Sequence, residues 1–142
     1  IIGAGRVGLI RAELAARHPS VGWIGIAEIN PERGEIVREK CGGDFVTTDY
    51  KELLARPEVN AVVVATDEHL HVDPVILAAE RKLPLLIEKP LSHAETGLAP
   101  FFNALQRSGR RAYVVCNMRF HPGPATLKKH LPDIGKPLFA LQ

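Results

Sequence analysis

The sequence predicts a doubly wound α/β fold, with a mostly parallel sheet and helices on both faces, and three observations carry that prediction. Four short apolar runs, Val21–Ala27, Ala61–Ala65, Leu83–Ile87 and Ala112–Cys116, are continuous rather than alternating, as strands covered on both faces read. Segments with helix-start and helix-stop signals separate them, and strands that alternate with helices imply a parallel sheet. A glycine-rich turn over residues 3–8 stands between an apolar pair and the first helical pattern. The element order read along the chain is β-α-β-α-(β)-α-β-α-β-α-β.

Each element has a local reason. Ile1 and Ile2 read as the end of a strand whose earlier residues are expected to be missing, since the chain opens without Met. The first helical pattern runs from Val7 to Arg17, and the next strand, Val21–Ala27, ends in an acid, Glu28. Asn30-Pro31 offers an N-cap followed by proline at the first helical position, and Glu32 suits the first turn. Gly42-Gly43 and Gly109 stand where helices should stop. Val72, Val75, Ile76 and Ala79 form one apolar helical face. Ser92-His93-Ala94-Glu95 fits a capping box. Gly135 to Leu141 opens a further apolar strand. The expected division is therefore residues 1–134 as one nucleotide-binding unit and residues 135–142 as the start of a truncated C-terminal α/β domain.

Bulk composition narrows the function classes. At 142 residues the chain is one domain on the length prior, long enough to bury a core without metals or disulfides. A net charge of +2 with no basic block lacks the dense Lys/Arg patch of a nucleic-acid binder. No apolar run approaches the roughly 18 residues of a membrane span. Cys41 and Cys116 match no C-x-x-C pattern and read as buried small hydrophobes in a reducing, cytoplasmic setting.

Gly3-Ala4-Gly5-Arg6-Val7-Gly8 matches G-x-G-x-x-G. The motif alone is weak, but it follows an apolar pair, opens a helix, and is followed at the spacing of a dinucleotide site by Glu28 at a strand end. Gly3 permits the tight turn, Gly5 lets the backbone approach a pyrophosphate, and Gly8 lets helix and strand pack closely. The helix N-terminus at Arg6 and Val7 offers free N–H groups to the phosphates. Glu28 is placed to accept hydrogen bonds from the adenosine ribose, which favours NAD over NADP. A phosphate about 4 Å from the carboxylate is repelled by about 1 kcal/mol in water, or about 4 kcal/mol at an effective dielectric of 20. Arg6 and Arg33 lie close enough in sequence to offset part of this, so NADP stays as the alternative cofactor.

Three further segments are expected at strand ends: Ala65-Thr66-Asp67-Glu68-His69-Leu70-His71, Glu88-Lys89-Pro90-Leu91-Ser92 and Asn117-Met118-Arg119-Phe120-His121-Pro122. With the glycine loop, they resemble the A-T-x-x-x-x-H, E-K-P and N-x-R-F-x-P segments of the glucose–fructose oxidoreductase/inositol dehydrogenase (Gfo/Idh/MocA) family. The resemblance spans essentially the whole chain. It implies an N-terminal Rossmann domain of an NAD(P)-dependent oxidoreductase that moves hydride between nicotinamide and a CH–OH carbon of a sugar, cyclitol or related small molecule. It implies that Lys89 contacts substrate and takes part in proton transfer, that Glu88 positions the cofactor near its nicotinamide ribose with Pro90 also at the cofactor, that Lys89–Pro90 is cis, and that Thr66 and His71 line the nicotinamide side. Arg119 is a candidate substrate contact, with anchoring of the chain as the equal alternative. The family's other catalytic groups lie in a C-terminal domain, so this chain by itself is expected to bind cofactor without turnover, and the full-length protein is expected to form a homo-oligomer.

Each candidate has a plainer counterpart. The glycine loop could be a turn without a ligand, Lys89 a surface lysine before a turn, and His71 a structural histidine at a helix start. Asp67, where many relatives carry proline, reads first as a helix N-cap and second as a carboxylate for a substrate hydroxyl near the nicotinamide. The scattered histidines complete no zinc set, so no metal is expected. Two other functions compete: an S-adenosylmethionine methyltransferase, which shares a glycine loop and a strand-end acid, and a non-catalytic NAD-sensing domain.

Overall fold

The computed structural model describes residues 1–92 and 98–135. Among these residues five strands form: β1 (Gly25–Ala27), β2 (Phe45–Thr47), β3 (Val62–Val64), β4 (Leu85–Ile87) and β5 (Ala112–Val114). β1 pairs with β2, and β3, β4 and β5 pair in that order, all in parallel. Ile2 joins the two groups by bridging Ala27 on one side and Val64 on the other. Four main-chain hydrogen bonds make this junction: Ile2 N to Val63 O and Ala65 N to Ile2 O, both 2.8 Å, with Gly3 N to Ala27 O at 2.8 Å and Ala27 N to Ile1 O at 2.9 Å. The sheet order is thus β2-β1-Ile2-β3-β4-β5, and its reversal point lies beside the glycine turn.

Six helices alternate with these strands: α1 (Arg6–Ala16), α2 (Pro31–Cys41), α3 (Tyr50–Ala55), α4 (Val72–Glu80), α5 (Leu98–Ser108) and α6 (Pro122–His130). The helix signals act as their chemistry dictates. Asn30 accepts a hydrogen bond from Arg33 N at 3.0 Å to open α2, and Gly42 closes it in the left-handed conformation, φ 64°. Gly109, φ 62°, follows α5. The capping box expected at 92–95 falls mostly on residues outside those described, as does the strand expected after Gly135.

Both faces of the sheet carry a core. Ile26 packs with Ala4, Ala12, Val37 and Cys41 beneath α1 and α2. On the opposite face Ala27, Val64 and Ile87 meet Leu53, Val75, Ala79 and Phe101 from α3, α4 and α5. Burial of such side chains is worth roughly 1.5–3 kcal/mol each, and here it fixes which way each strand faces.

Two readings need correcting. The strands are shorter than the apolar runs, because a strand lasts only as long as its pairing partner. Val21 and Gly22 are exposed, and pairing starts at Gly25. Among the described residues β5 has a strand partner on one side only, and all three of its residues are exposed, so there its run is not covered on both faces. Cys116, just beyond it, is exposed for the same reason, while Cys41 is buried.

Candidate functional site

The glycine turn is built by contacts that exclude a side chain at two positions and leave room at a third. Gly3 has φ 91°, and a Cβ there would lie 2.7 Å from the backbone of Ala65 and Thr66. A Cβ on Gly8 would lie 2.0 Å from Gly3 O, so α1 sits against the turn only because Gly8 is bare. A Cβ on Gly5 would meet nothing within 4 Å. Gly5 is the N-cap of α1 and makes no side-chain cap. The first helical bond runs from Leu9 N to Gly5 O, 2.9 Å, which leaves the amides of Arg6, Val7 and Gly8 without acceptors among the described residues. Free amides at the positive end of a helix form an anion seat. Arg6 and Val7 are exposed at its mouth.

Glu28 closes against this turn from the end of β1. Its Oε2 accepts from Ala4 N at 2.7 Å, and its Oε1 accepts from Asn30 N at 3.0 Å and from the Arg33 guanidinium at 2.5 Å. Gly34 lets α2 approach, since a Cβ there would meet Glu28 Cβ at 3.3 Å. Burial pushes the Glu28 carboxyl up, but the hydrogen bonds from Arg33, Asn30 and Ala4 outweigh it and hold the group below its ordinary value. A carboxylate has about four acceptor positions, so three bonds leave one for a ligand hydroxyl.

These groups line a cavity of about 320 Å³ at the C-terminal ends of β1 and β3, where open α/β sheets take ligands. Gly3, Gly5, Glu28 and Arg33 form part of its wall, and Thr66 and Asp67 another. Thr66 Oγ1 is buried without a hydrogen-bond partner, a polar atom that a ligand would satisfy. Bare Gly5, the unpaired amides, the spare acceptor of Glu28 and the orphaned Thr66 hydroxyl together fit an adenosine ribose and a pyrophosphate.

Of the remaining candidates, His71, Glu88, Lys89 and Arg119 are not part of this cavity wall, whereas Asp67 is. His71 is buried, with Nδ1 3.0 Å from Pro90 O and Nε2 3.0 Å from Thr66 O. It sits between the turn after β3 and the turn after β4, where the one N–H of a neutral imidazole donates to one of the two carbonyls. Lys89 is exposed at the end of β4, and Lys89–Pro90 is cis. Arg119 is exposed in the 3₁₀ turn Asn117–Phe120, without an ion pair among the described residues. Asp67 stands at the start of the 3₁₀ turn Glu68–Leu70 but makes no capping bond. Among the described residues no three His, Cys, Asp or Glu side chains cluster as a metal site, and no helix is long and apolar enough to cross a membrane.

One partner escaped the sequence reading. Arg11 of α1 reaches the buried carboxylate of Glu88, with Nε donating to Oε1 at 2.7 Å and a terminal nitrogen 2.5 Å away. α1 is thus locked to the strand end that carries Lys89. A cation three residues beyond Gly8, next to buried Ala12, was the available signal, since a charge on an inward helical face needs a partner.

The same architecture recurs in known proteins. Residues 1–116 match a family described as oxidoreductase, NAD-binding Rossmann fold. The chain is 34% identical over 143 residues to inositol 2-dehydrogenase 4 of Saccharopolyspora erythraea, covering 97% of this chain and 42% of that protein. It is 28% identical over 141 residues to levoglucosan dehydrogenase of Pseudarthrobacter phenanthrenivorans, covering 94% and 36%. Its structure superposes on a probable dehydrogenase from Thermotoga maritima with a TM-score of 0.82 and 27% identity, covering 93% of this chain and 39% of that one. A levoglucosan dehydrogenase in complex with NADH and levoglucosan gives 0.79 and 27%, covering 93% and 38%. The chain spans between 36% and 42% of the length of these two curated relatives.

Proposed function

The chain belongs to the Gfo/Idh/MocA oxidoreductase family through its NAD-binding Rossmann fold, and from that premise we propose that it holds the dinucleotide for hydride transfer at a CH–OH carbon of a sugar, cyclitol or related small molecule. The observation that carries the reading is the glycine turn closed by Glu28: an open approach at Gly5 beside free α1 amides, with the acid bonded to Ala4 N at 2.7 Å. NAD, when bound, accepts or returns the hydride at C4 of its nicotinamide. The chain's own residues do the rest. Gly3, Gly5 and Gly8 shape the pyrophosphate seat, with the amides of Arg6 and Val7 turned to it. Glu28 receives a ribose hydroxyl, and Thr66 supplies its unpaired hydroxyl to the cofactor. His71 holds the Thr66 and Pro90 carbonyls in place.

Lys89 is proposed as the group that meets the substrate hydroxyl and moves its proton, with Glu88 and Pro90 holding the cofactor near its nicotinamide ribose and Arg119 as a second substrate contact. A lysine exchanges a proton near neutrality only where burial or nearby positive charge disfavours the ammonium, and oxidised nicotinamide carries such a charge. Residues 1–134 form the dinucleotide unit in this reading, and 135–142 open a substrate domain that closes the cleft. The full-length protein is proposed to be a cytoplasmic homo-oligomer.

The test is a titration of the chain with NADH, followed by the nucleotide's own fluorescence. Trp23 is a poor reporter: it precedes β1 and stacks on Phe45 with centroids 6.3 Å apart, at the end of the strand away from Glu28. Saturable binding that Glu28→Ala weakens supports the reading; a folded chain that binds no dinucleotide refutes it. In a protein carrying the substrate domain, Lys89→Ala is expected to abolish turnover while sparing NADH binding. Unchanged turnover would refute the role of Lys89.

A further inference from the structure

Asp67 has no structural duty that accounts for it. It is exposed, caps nothing, and forms no ion pair among the described residues. It lines the same cavity as Glu28 and Arg33, whereas neither Glu88 nor Lys89 does. That placement puts its charge in one cavity with Glu28 and Arg33, at the ribose end of the dinucleotide in the reading above.

The charge balance of that cavity is lopsided. Three carboxylates, Glu28, Asp67 and Asp73, face one guanidinium, Arg33. Arg33 is committed to Glu28 at 2.5 Å, and its side chain is 50% exposed, so it has freedom to turn but a strong reason to stay. Its protonated form is held first by the hydrogen bond and charge of Glu28 and, more weakly, by the charge of Asp67.

The 2′-phosphate of NADP would enter where NAD presents a hydroxyl. A Rossmann site accepts that phosphate by offering it an arginine, usually through a forked pair of charge-assisted bonds. Here Arg33 would have to leave Glu28, and the phosphate it followed would stand between two carboxylates. Building on the dinucleotide reading above, we propose that Asp67 is a specificity-determining residue, a second carboxylate that holds Arg33 on the Glu28 side and turns the site against NADP(H). Glu28 rejects the phosphate by occupying its seat, and Asp67 rejects it by withholding the compensating cation.

The size of the effect follows from Coulomb's law. For charges about 7 Å apart, repulsion amounts to roughly threefold in affinity per unit charge in water and roughly fiftyfold at an effective dielectric of 20. Exposure of Asp67 favours the lower part of that range, and salt reduces it further.

The experiment is a fluorescence titration of the wild-type chain, Asp67→Asn and Asp67→Ser with NADH and with NADPH, at low and at high ionic strength, after far-UV circular dichroism has shown each variant folded. Both substitutions are expected to lower the ratio of NADPH to NADH dissociation constants by at least about threefold, with NADH affinity held within about twofold. The wild-type ratio is expected to shrink with added salt more than the ratio of either variant. An unchanged ratio, or an equal loss of affinity for both nucleotides, would overturn the proposal. A wild-type chain that binds neither nucleotide would instead refute the dinucleotide reading and take this inference with it. Saturation by NADH in the wild type therefore decides the first, and the variants' ratio decides the second.

Discussion

Replacing Gly5 with alanine separates ligand approach from folding. In the chain alone a Cβ at this position meets nothing within 4 Å, and the backbone there, φ −66° and ψ −171°, suits any residue. Alanine is a poorer N-cap than glycine by about 1 kcal/mol and gains about 0.4–1 kcal/mol by restricting the unfolded chain, so the two nearly offset and stability should change by no more than about 1 kcal/mol. The ligand meets a different situation. A methyl group projecting into the pyrophosphate seat holds the phosphate oxygens away from the α1 amides. Hydrogen bonds to charged groups contribute about 1.5–3 kcal/mol each, so losing two removes about 3–6 kcal/mol, or roughly a 10²- to 10⁴-fold loss of affinity. NADH titration beside a urea melt measures both quantities. Binding of NADH within about threefold of wild type would refute the placement of the pyrophosphate at Gly5, because no 2–3 Å approach survives a methyl group in the gap.

Three other predictions draw on neighbouring contacts. Gly8→Ala should destabilise the chain itself, by about 3 kcal/mol or more, because its Cβ would stand 2.0 Å from Gly3 O and backbone must move rather than a side chain; an unfolding midpoint equal to wild type would contradict it. The Glu28 carboxyl is held below its ordinary value in the fold, so its contribution is present above the unfolded carboxyl's pKa and is lost as pH falls through the lowered folded one. The stability advantage of wild type over Glu28→Gln should therefore shrink between pH 6 and pH 3, and an advantage that stays constant would count against the network. Arg11→Met should leave the Glu88 carboxylate buried without its partner and cost about 3–5 kcal/mol, while the double change Arg11→Met, Glu88→Gln should recover part of that loss in the same melt; no recovery would mean that the two residues act separately.

What could be read from the chain and what could not divide along physical lines. The glycine turn, the Asn30 and Gly42 caps and Glu28 at a strand end are local: a φ angle, a free amide or a fixed spacing decides each, and all are visible within about 25 residues. The Arg11–Glu88 pair joins positions 77 apart, and no periodicity announces it. His71 was legible as a polar residue at a helix start, but its two carbonyl partners on different turns were not. Strand ends were misjudged because hydropathy reports burial whereas strand length depends on a neighbour. Cys116 looked apolar enough for a core and came out exposed, because an apolar run does not say which of its residues a neighbouring element covers.

The junction at Ile2 has a mechanical consequence. Ile1, Ile2 and Gly3 run between the half of the sheet that carries Glu28 and the half that carries Thr66 and Lys89, with Ile1 and Gly3 bonded to Ala27 and Ile2 bonded to Val63 and Ala65 at 2.8–2.9 Å. Any twist of β2-β1 against β3-β4-β5 changes the gap between the two walls that grip the dinucleotide, and a ligand gripping both walls acts as a splint across them. The amide protons of Ile2, Gly3, Ala27 and Ala65 are the strain gauges of that joint. Their exchange with solvent should slow together when NADH is added, since none of them can open without the two halves parting.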